Sequence, residues 1–341
     1  MSDSAGSTAT DPVEEIRSWL EDNWDPDLTV AQWWEKLGLA GWAAPLLPTH
    51  AYGKGLSRSD GLAVLREIGR FGALGPPSGL GLMLAAPTIA EHGTQDQIDT
   101  LLRDIVTGQQ AWCQLFSEPG AGSDLAGLST RAVRDGDEWI INGQKVWTSL
   151  GQSADMGMLI ARTNPDAPKH QGITWFAINM HQPGVEVRPL YEMTGHAMFN
   201  EVFMSDAVVR DIDTVGGLNN GWAVTNTTLQ AERSGLSAGG GRAVTATPGT
   251  IAGQLERRAG DLVAKKPAKS ARADDTPKKK EDSLLVQFAR SFGKLDDPII
   301  RQDLMRLHTL NEVASYNAAG EGSKGAGSKR SRAWPISASS R

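Results

Sequence analysis

A single cysteine, Cys113, stands among 341 residues. It excludes an intrachain disulfide and any cysteine-built metal centre, and it suits a reducing cytoplasm, the location expected for the chain. Long apolar runs are also missing. The longest, Gly79 to Ala90, is interrupted by Pro87 and falls short of the roughly 20 residues that a membrane-spanning helix needs. Met1 to Asp11 holds serine, threonine, alanine and acids without an apolar centre, so no secretory leader is expected and residues 1–11 read as disordered. Positive charge is not in excess. The formal net charge is −6, which argues against nucleic acid as a partner. What is present is ordinary for a soluble globular protein, with 40% hydrophobic and 22% charged residues on a chain long enough for two or three domains.

The spacing of apolar residues divides the chain. Over 12–110 it is helical: Ile16, Trp19 and Leu20 sit at i, i+3, i+4, Leu62, Leu65, Ile68 and Phe71 recur every third residue, and Ile98, Leu101, Leu102 and Ile105 form another stripe. Breaks are expected at Pro45 to Gly55 and at Gly72 to Ser78. Over 111–215 short runs rich in β-branched and aromatic residues, such as Ile173 to Ile178 and Glu201 to Met204, alternate with the turn pairs Asp135-Gly136, Asn142-Gly143 and Pro183-Gly184. These predict a small antiparallel β domain. Helical spacing resumes at Gly221 and continues to about residue 239. Residues 258–282 are charged, carry two prolines and have few aliphatics, so they read as a solvated insertion. Residues 283–317 are helical again through Leu284, Leu285, Phe288, Ile299, Leu304, Leu307 and Leu310. After Asn317 the tail 318–341 has Ile336 as its one aliphatic larger than alanine, and it is expected to stay disordered. The fold class is therefore α+β: an N-terminal helical domain, a central antiparallel β domain, and a C-terminal helical domain, 216–317, that is incomplete.

Two strings carry chemistry. The segment Ser117-Glu-Pro-Gly-Ala-Gly-Ser-Asp124 contains Gly120 and Gly122, which let backbone N–H groups approach a ligand because glycine has no Cβ. Alone this is a tight turn as readily as a site. It lacks the third glycine of a dinucleotide fingerprint, since position 125 is leucine. The second string, Asn142-Gly-Gln-Lys-Val-Trp-Thr-Ser149, follows about twenty residues later. Together, and in the helix–sheet–helix order, the two resemble the flavin-binding segment of the acyl-CoA dehydrogenase family, a resemblance that covers roughly 12–240. It implies FAD as cofactor, an acyl-CoA thioester as substrate, an electron-transfer flavoprotein as oxidant and an oligomeric assembly, with no metal. By the same resemblance Gln114, Phe116 and Ser117 would line the isoalloxazine edge. Gly122 and Ser123 would sit where pyrophosphate and acyl-CoA approach. Trp147 and Ser149 would pack beside the flavin ring and bond its polar edge. Hydrogen-bond donors at that edge make a flavin a better hydride acceptor. The stretch Met193 to Phe203 resembles the end of the family's β domain and is expected to be core and substrate wall. His196 within it is expected in a loop rather than in chemistry.

The resemblance also implies a base. Some members carry the catalytic glutamate on the first helix after the β domain, directly before an arginine, and here Glu232-Arg233 occupy that place on Gly221 to Leu236. The spacing of Trp222, Leu229 and Leu236 suggests an apolar stripe with Glu232 and Arg233 on its flanks, within about 60° of its centre. A carboxylate turned inward is disfavoured unless it is paired or put to use. Spacing alone allows a structural Glu–Arg pair as well as a catalytic base with Arg233 beside the substrate.

The family's C-terminal bundle is matched poorly. Its Arg-x-x-Phe-Gly segment has only Arg290-Ser-Phe-Gly293 to answer it, and Gly-Gly-x-Gly does not occur after residue 300. Three readings are open: a dehydrogenase completed by another acyl-CoA dehydrogenase subunit, as homo- or hetero-oligomer; a non-catalytic assembly partner with weak or no flavin binding; or an oxidase of the same fold. The last normally uses an aspartate base, which this helix lacks.

Overall fold

The structure is a computed structural model that describes residues 11–236, 243–263 and 283–321. The chain forms two compact units, Met1–Lys266 and Pro267–Arg341.

In the larger unit each early helix begins at a side-chain cap. Asp11, at the edge of the segment expected to be disordered, accepts the Val13 N–H at 2.9 Å and starts α1, Pro12–Asn23. Thr29 and Gln32 form a reciprocal capping box at the start of α2, Val30–Leu39. Ser57 caps α3, Arg58–Phe71, which Gly72 ends in the left-handed region at φ 92°. Trp33 and Trp34 are fully buried, and their indole N–H groups donate to Leu74 O at 2.7 Å and Gly75 O at 2.9 Å, pinning the expected break after α3. The buried stripe of α3 is Gly61, Val64, Glu67 and Ile68, one position off the spacing read from the leucines. Farther on, a π-helical turn, Gly81–Ala85, runs into α4, Ala86–His92, and the wider turn accommodates Pro87, which has no N–H to give. A second π turn, Ile98–Leu102, links α5, Gln95–Gln97, to α6, Arg103–Val106, with Ile98, Leu101, Leu102 and Ile105 all buried.

An eight-stranded sheet follows: β1 Trp112–Leu115, β2 Arg131–Asp135, β3 Glu138–Ser149, β4 Met156–Arg162, β5 Ile173–Asn179, β6 Val185–Leu190, β7 Phe199–Arg210 and β8 Thr214–Val215. The order is β6-β7-β3-β2-β4-β5-β8, with β1 added on β4. Most pairs are antiparallel as expected, but β1 and β2 meet β4 in parallel. That departure requires an intervening excursion between β1 and β2, and the excursion is the segment 116–130 that carries the first motif. Both faces of β4 are buried. Met158 and Ile160 join the cluster shared with the helices, and Leu159 and Ala161 join a second cluster with Trp139, Ile141, Phe176 and Val202.

Helix α7, Gly221–Leu236, leaves the sheet and packs on α4, the first π turn and β5. Residues 243–263 then strap the N-terminal helices. Val244 O accepts from Gly75 N at 2.7 Å, and the N–H groups of Ala259 and Gly260 donate to Leu28 and Pro26 at 2.8 and 3.0 Å. Within the insertion expected over 258–282, α8, Ala259–Leu262, is packed, and Ala259 is fully buried. The remainder of that insertion, 264–282, lies outside the described residues. The smaller unit holds α9, Leu284–Ser291, and α10, Pro298–Glu321, which continues past the expected boundary at 317. No described helix is long and apolar enough to cross a membrane.

Candidate active site

The two motifs converge because β1 and β3 end side by side. Val146 N–H donates to Ser117 O at 2.9 Å. Lys145 Nζ donates to Phe116 O at 3.1 Å and to Glu118 Oε1 at 2.9 Å. Glu118 also accepts from Ser129 N at 2.7 Å, Ser129 Oγ at 2.7 Å and Thr130 N at 2.9 Å. Burial opposes ionisation of Glu118, but Lys145 and the hydrogen bonds from Thr130, Lys145 and Ser129 outweigh it and hold the carboxyl down at about 2. Burial pushes the Lys145 ammonium down to about 8 against the pull of Glu118.

The loop between the motifs is braced along its length. Glu118 and Ala121 exchange backbone hydrogen bonds at 2.9 and 3.1 Å, forming a tight turn. Lys169 grips Asp124 at 2.8 and 2.9 Å, and Arg162 donates to Ala126 O at 2.6 Å. Within this frame Gly122 and Ser123 are exposed. A Cβ added at Gly120 or Gly122 would meet nothing within 4 Å, and neither glycine has a left-handed φ. Neither the backbone conformation nor the chain's own packing demands glycine there; the space above the turn is open.

Trp147 is 57% exposed with φ 62°, edge-on to Phe199 at 5.8 Å between ring centroids. Thr148 is buried and its hydroxyl has no hydrogen-bond partner, while Ser149 and Gln114 are half-buried. Phe116, expected to line the isoalloxazine edge, is 4% exposed and packs in the hydrophobic core, and its carbonyl accepts from Lys145 of the second motif. The stretch expected as core and substrate wall divides likewise. Asn200 and Val202 are buried, but Met193 and Met198 are fully and largely exposed, because 191–198 lies outside the sheet strands.

On α7 the buried face is not the Trp222–Leu229 spacing, which is only half-buried. It is Gly221, Val224, Thr225 and Thr228. Thr228 shares a hydrogen bond of 2.9 Å with Thr88, and Thr227 one of 2.8 Å with His92, so α4 fixes the roll of α7. Glu232, four residues beyond Thr228, continues the buried face and is half-buried, whereas Arg233 is exposed. By helical position Glu232 thus sits nearer the buried face than the flank expected, and Arg233 lies farther off it.

Profiles of two domains match the chain: the acyl-CoA dehydrogenase N-terminal domain over residues 3–109 and the acyl-CoA dehydrogenase middle domain over residues 113–207. The chain belongs to the acyl-CoA dehydrogenase family. Among acyl-CoA dehydrogenases, FadE34 of Mycobacterium tuberculosis is 48% identical over 198 residues, which is 58% of this chain but 27% of FadE34. IpdE1 of the same organism is 34% identical over 323 residues, covering 89% of this chain and 75% of IpdE1. The solved steroid ACAD Tcur3481-Tcur3483 superposes with a TM-score of 0.62 at 28% identity over 91% of this chain and 75% of that one. The chain thus spans about a quarter of FadE34 and three quarters of IpdE1.

Two buried groups at this candidate site, Glu118 and Lys145, were not singled out from the sequence. A signal existed for the lysine. Trp139, Ile141 and Lys145 share parity on β3, which puts Lys145 on the inward face and calls for a buried carboxylate. The Thr88–Thr228 contact had none, since its partners lie 140 positions apart. A cavity of about 560 Å³ lined by Thr100, Gln110, Met156 and Val208, among others, contains none of the motif residues.

Proposed function

We propose that this chain carries the FAD-dependent α,β-dehydrogenation of an acyl-CoA thioester to a trans-2-enoyl-CoA. We further propose that it works with another acyl-CoA dehydrogenase subunit and passes electrons to an electron-transfer flavoprotein. The observation that carries the reading is the half-buried position of Glu232, in line with the buried face of a helix that Thr88 and His92 hold, in a chain whose two motifs are clamped together. The residues suit the cofactor. The open space over Gly120 and Gly122 admits a phosphate-bearing ligand to backbone N–H groups, Trp147 offers an exposed aromatic surface, the half-buried Ser149 offers a hydroxyl, and the buried Thr148 hydroxyl is left without a partner within the chain.

When bound, FAD supplies the acceptor for the hydride that leaves the β-carbon. Glu232 takes the proton from the α-carbon, so the substrate loses one proton and one hydride and gains a double bond. Ser123 and Arg233 flank the thioester end. Trp147 and Ser149 orient the acceptor, and Gln114 and Ser117 line its edge. The steroid ACAD Tcur3481-Tcur3483, whose name joins two polypeptides, supports a mixed assembly and a bulky acyl group.

The test is anaerobic incubation of the chain, co-purified with its partner subunit, with acyl-CoAs ranging from short chains to steroid side chains. Mass spectrometry then looks for a product lighter by two hydrogens. That product from the wild type and none from Glu232→Gln supports the reading. Yellow protein that turns over no acyl-CoA points to the oxidase alternative, and colourless protein in every complex points to a non-catalytic assembly partner.

A further inference from the structure

Among the described ion pairs, Lys145–Glu118 is buried on both sides, with side-chain exposures of 0% and 4%. Neither group belongs to the proton or hydride path. Their placement has a geometric consequence. In a regular strand residues two apart share a face, so an inward Lys145 would take Trp147 inward with it. Instead β3 slips its register on β7 between Lys145 and Thr148. Lys145 and Val146 are both buried, and Trp147 emerges in the left-handed region, exposed. Bulges of this kind re-aim a side chain, and a bulky residue at positive φ persists only where its surroundings over-determine it. Here the surroundings are explicit. The Lys145 ammonium bonds Phe116 O and the Glu118 carboxylate, straddling Ser117, while Val146 N–H bonds Ser117 O. Glu118 in turn is tied to the Gly120–Gly122 turn through its backbone bonds with Ala121, and to 129–130 through its carboxylate.

We propose that the Glu118–Lys145 pair is a positioning clamp that holds the Trp147 bulge and the Gly120–Ser123 turn as one preformed ligand face. Its effect on Trp147 stands on geometry alone; its effect on a flavin rests on the function proposed above.

The test uses the full chain labelled with 5-fluorotryptophan. The Trp147 ¹⁹F resonance, assigned through Trp147→Phe, is followed without flavin, and thermal unfolding and FAD titration are measured alongside. Lys145→Met leaves the Glu118 carboxylate without its counter-charge. The double variant Glu118→Gln/Lys145→Met leaves no unpaired buried charge and is the one expected to fold well. In the double variant we expect cooperative unfolding close to the wild-type Tm. We also expect a Trp147 resonance that is shifted or split while the other tryptophans keep theirs, and FAD affinity lowered by about tenfold or more. A folded double variant whose Trp147 resonance coincides with that of the wild type overturns the clamp and leaves the pair a plain structural contact. If the wild type takes up no FAD, alone or with its partner subunit, the flavin reading fails while the resonance still decides the clamp.

Discussion

At the scale of single residues, glycines separate ligand space from packing space. Gly221 is buried, and an added Cβ would come within 2.6 Å of the Thr174 backbone, so Gly221→Ala is expected to destabilise by about 1–3 kcal/mol in urea unfolding. Gly122 faces open space, so Gly122→Ala should unfold within about 0.5 kcal/mol of the wild type while its flavin affinity, measured by fluorescence titration, falls. Equal losses of stability in the two variants would contradict this division. Glu118 gives a pH dependence. Its carboxyl is held at about 2 in the folded chain against an ordinary value of 4.5. The unfolded chain therefore binds the proton more readily, and the stabilisation is complete above pH 4.5 and drains away as pH falls through 2. Urea midpoints measured across that window should drop less steeply in Glu118→Gln than in the wild type. Gly120, Gly122 and Trp147 stand out in the sequence as candidates because they sit inside contiguous strings. The burial of Phe116 was hidden because a string says nothing of which side chain faces the core, and the bulge at Trp147 was hidden because a register slip depends on the partner strand.

At the scale of elements, α7 decides where Glu232 points. Its apolar residues suggested a stripe through Trp222, Leu229 and Leu236, yet the helix buries threonines. Thr225 and Thr228 satisfy their hydroxyls on Gly221 O and Val224 O, and Thr228 reaches Thr88 as well. A buried hydroxyl bonded within its own helix reads as polar in sequence and as core in space, which is why spacing placed Glu232 on a flank. The Thr88–Thr228 contact should show a coupling of about 0.5–1.5 kcal/mol in a double-mutant cycle of the two Thr→Val changes. Additive effects would mean that α4 does not set the roll of α7. The helices of 12–110 and most strands of 111–215 were legible because their spacing is carried by large apolar residues, although the expected turn Asn142-Gly143 lies inside β3. The two π turns, the parallel seating of β1 and the packed strap 243–263 were not, since each arises from contacts between distant segments.

At the scale of the whole molecule, the larger unit holds both motifs, the sheet and α7, and so contains every candidate residue. The smaller unit is different in kind. Leu284, Leu285, Phe288 and Phe292 of its first helix segment, with Ile299, Met305 and Leu310 of its second, are all exposed. Co-expression with a complementary acyl-CoA dehydrogenase subunit is expected to give a mixed complex by size-exclusion chromatography with light scattering, carrying more flavin per chain than either subunit alone. Separate elution of the two would contradict the mixed assembly. The most direct measurement is stopped-flow bleaching of the flavin band when an acyl-CoA is mixed anaerobically with that complex. With Glu232 as the base, Glu232→Gln bleaches on the order of 10²–10⁴-fold more slowly than the wild type while retaining its flavin. Bleaching at the wild-type rate would show that another group removes the proton and that the position of Glu232 in line with the buried face of α7 serves only the fold.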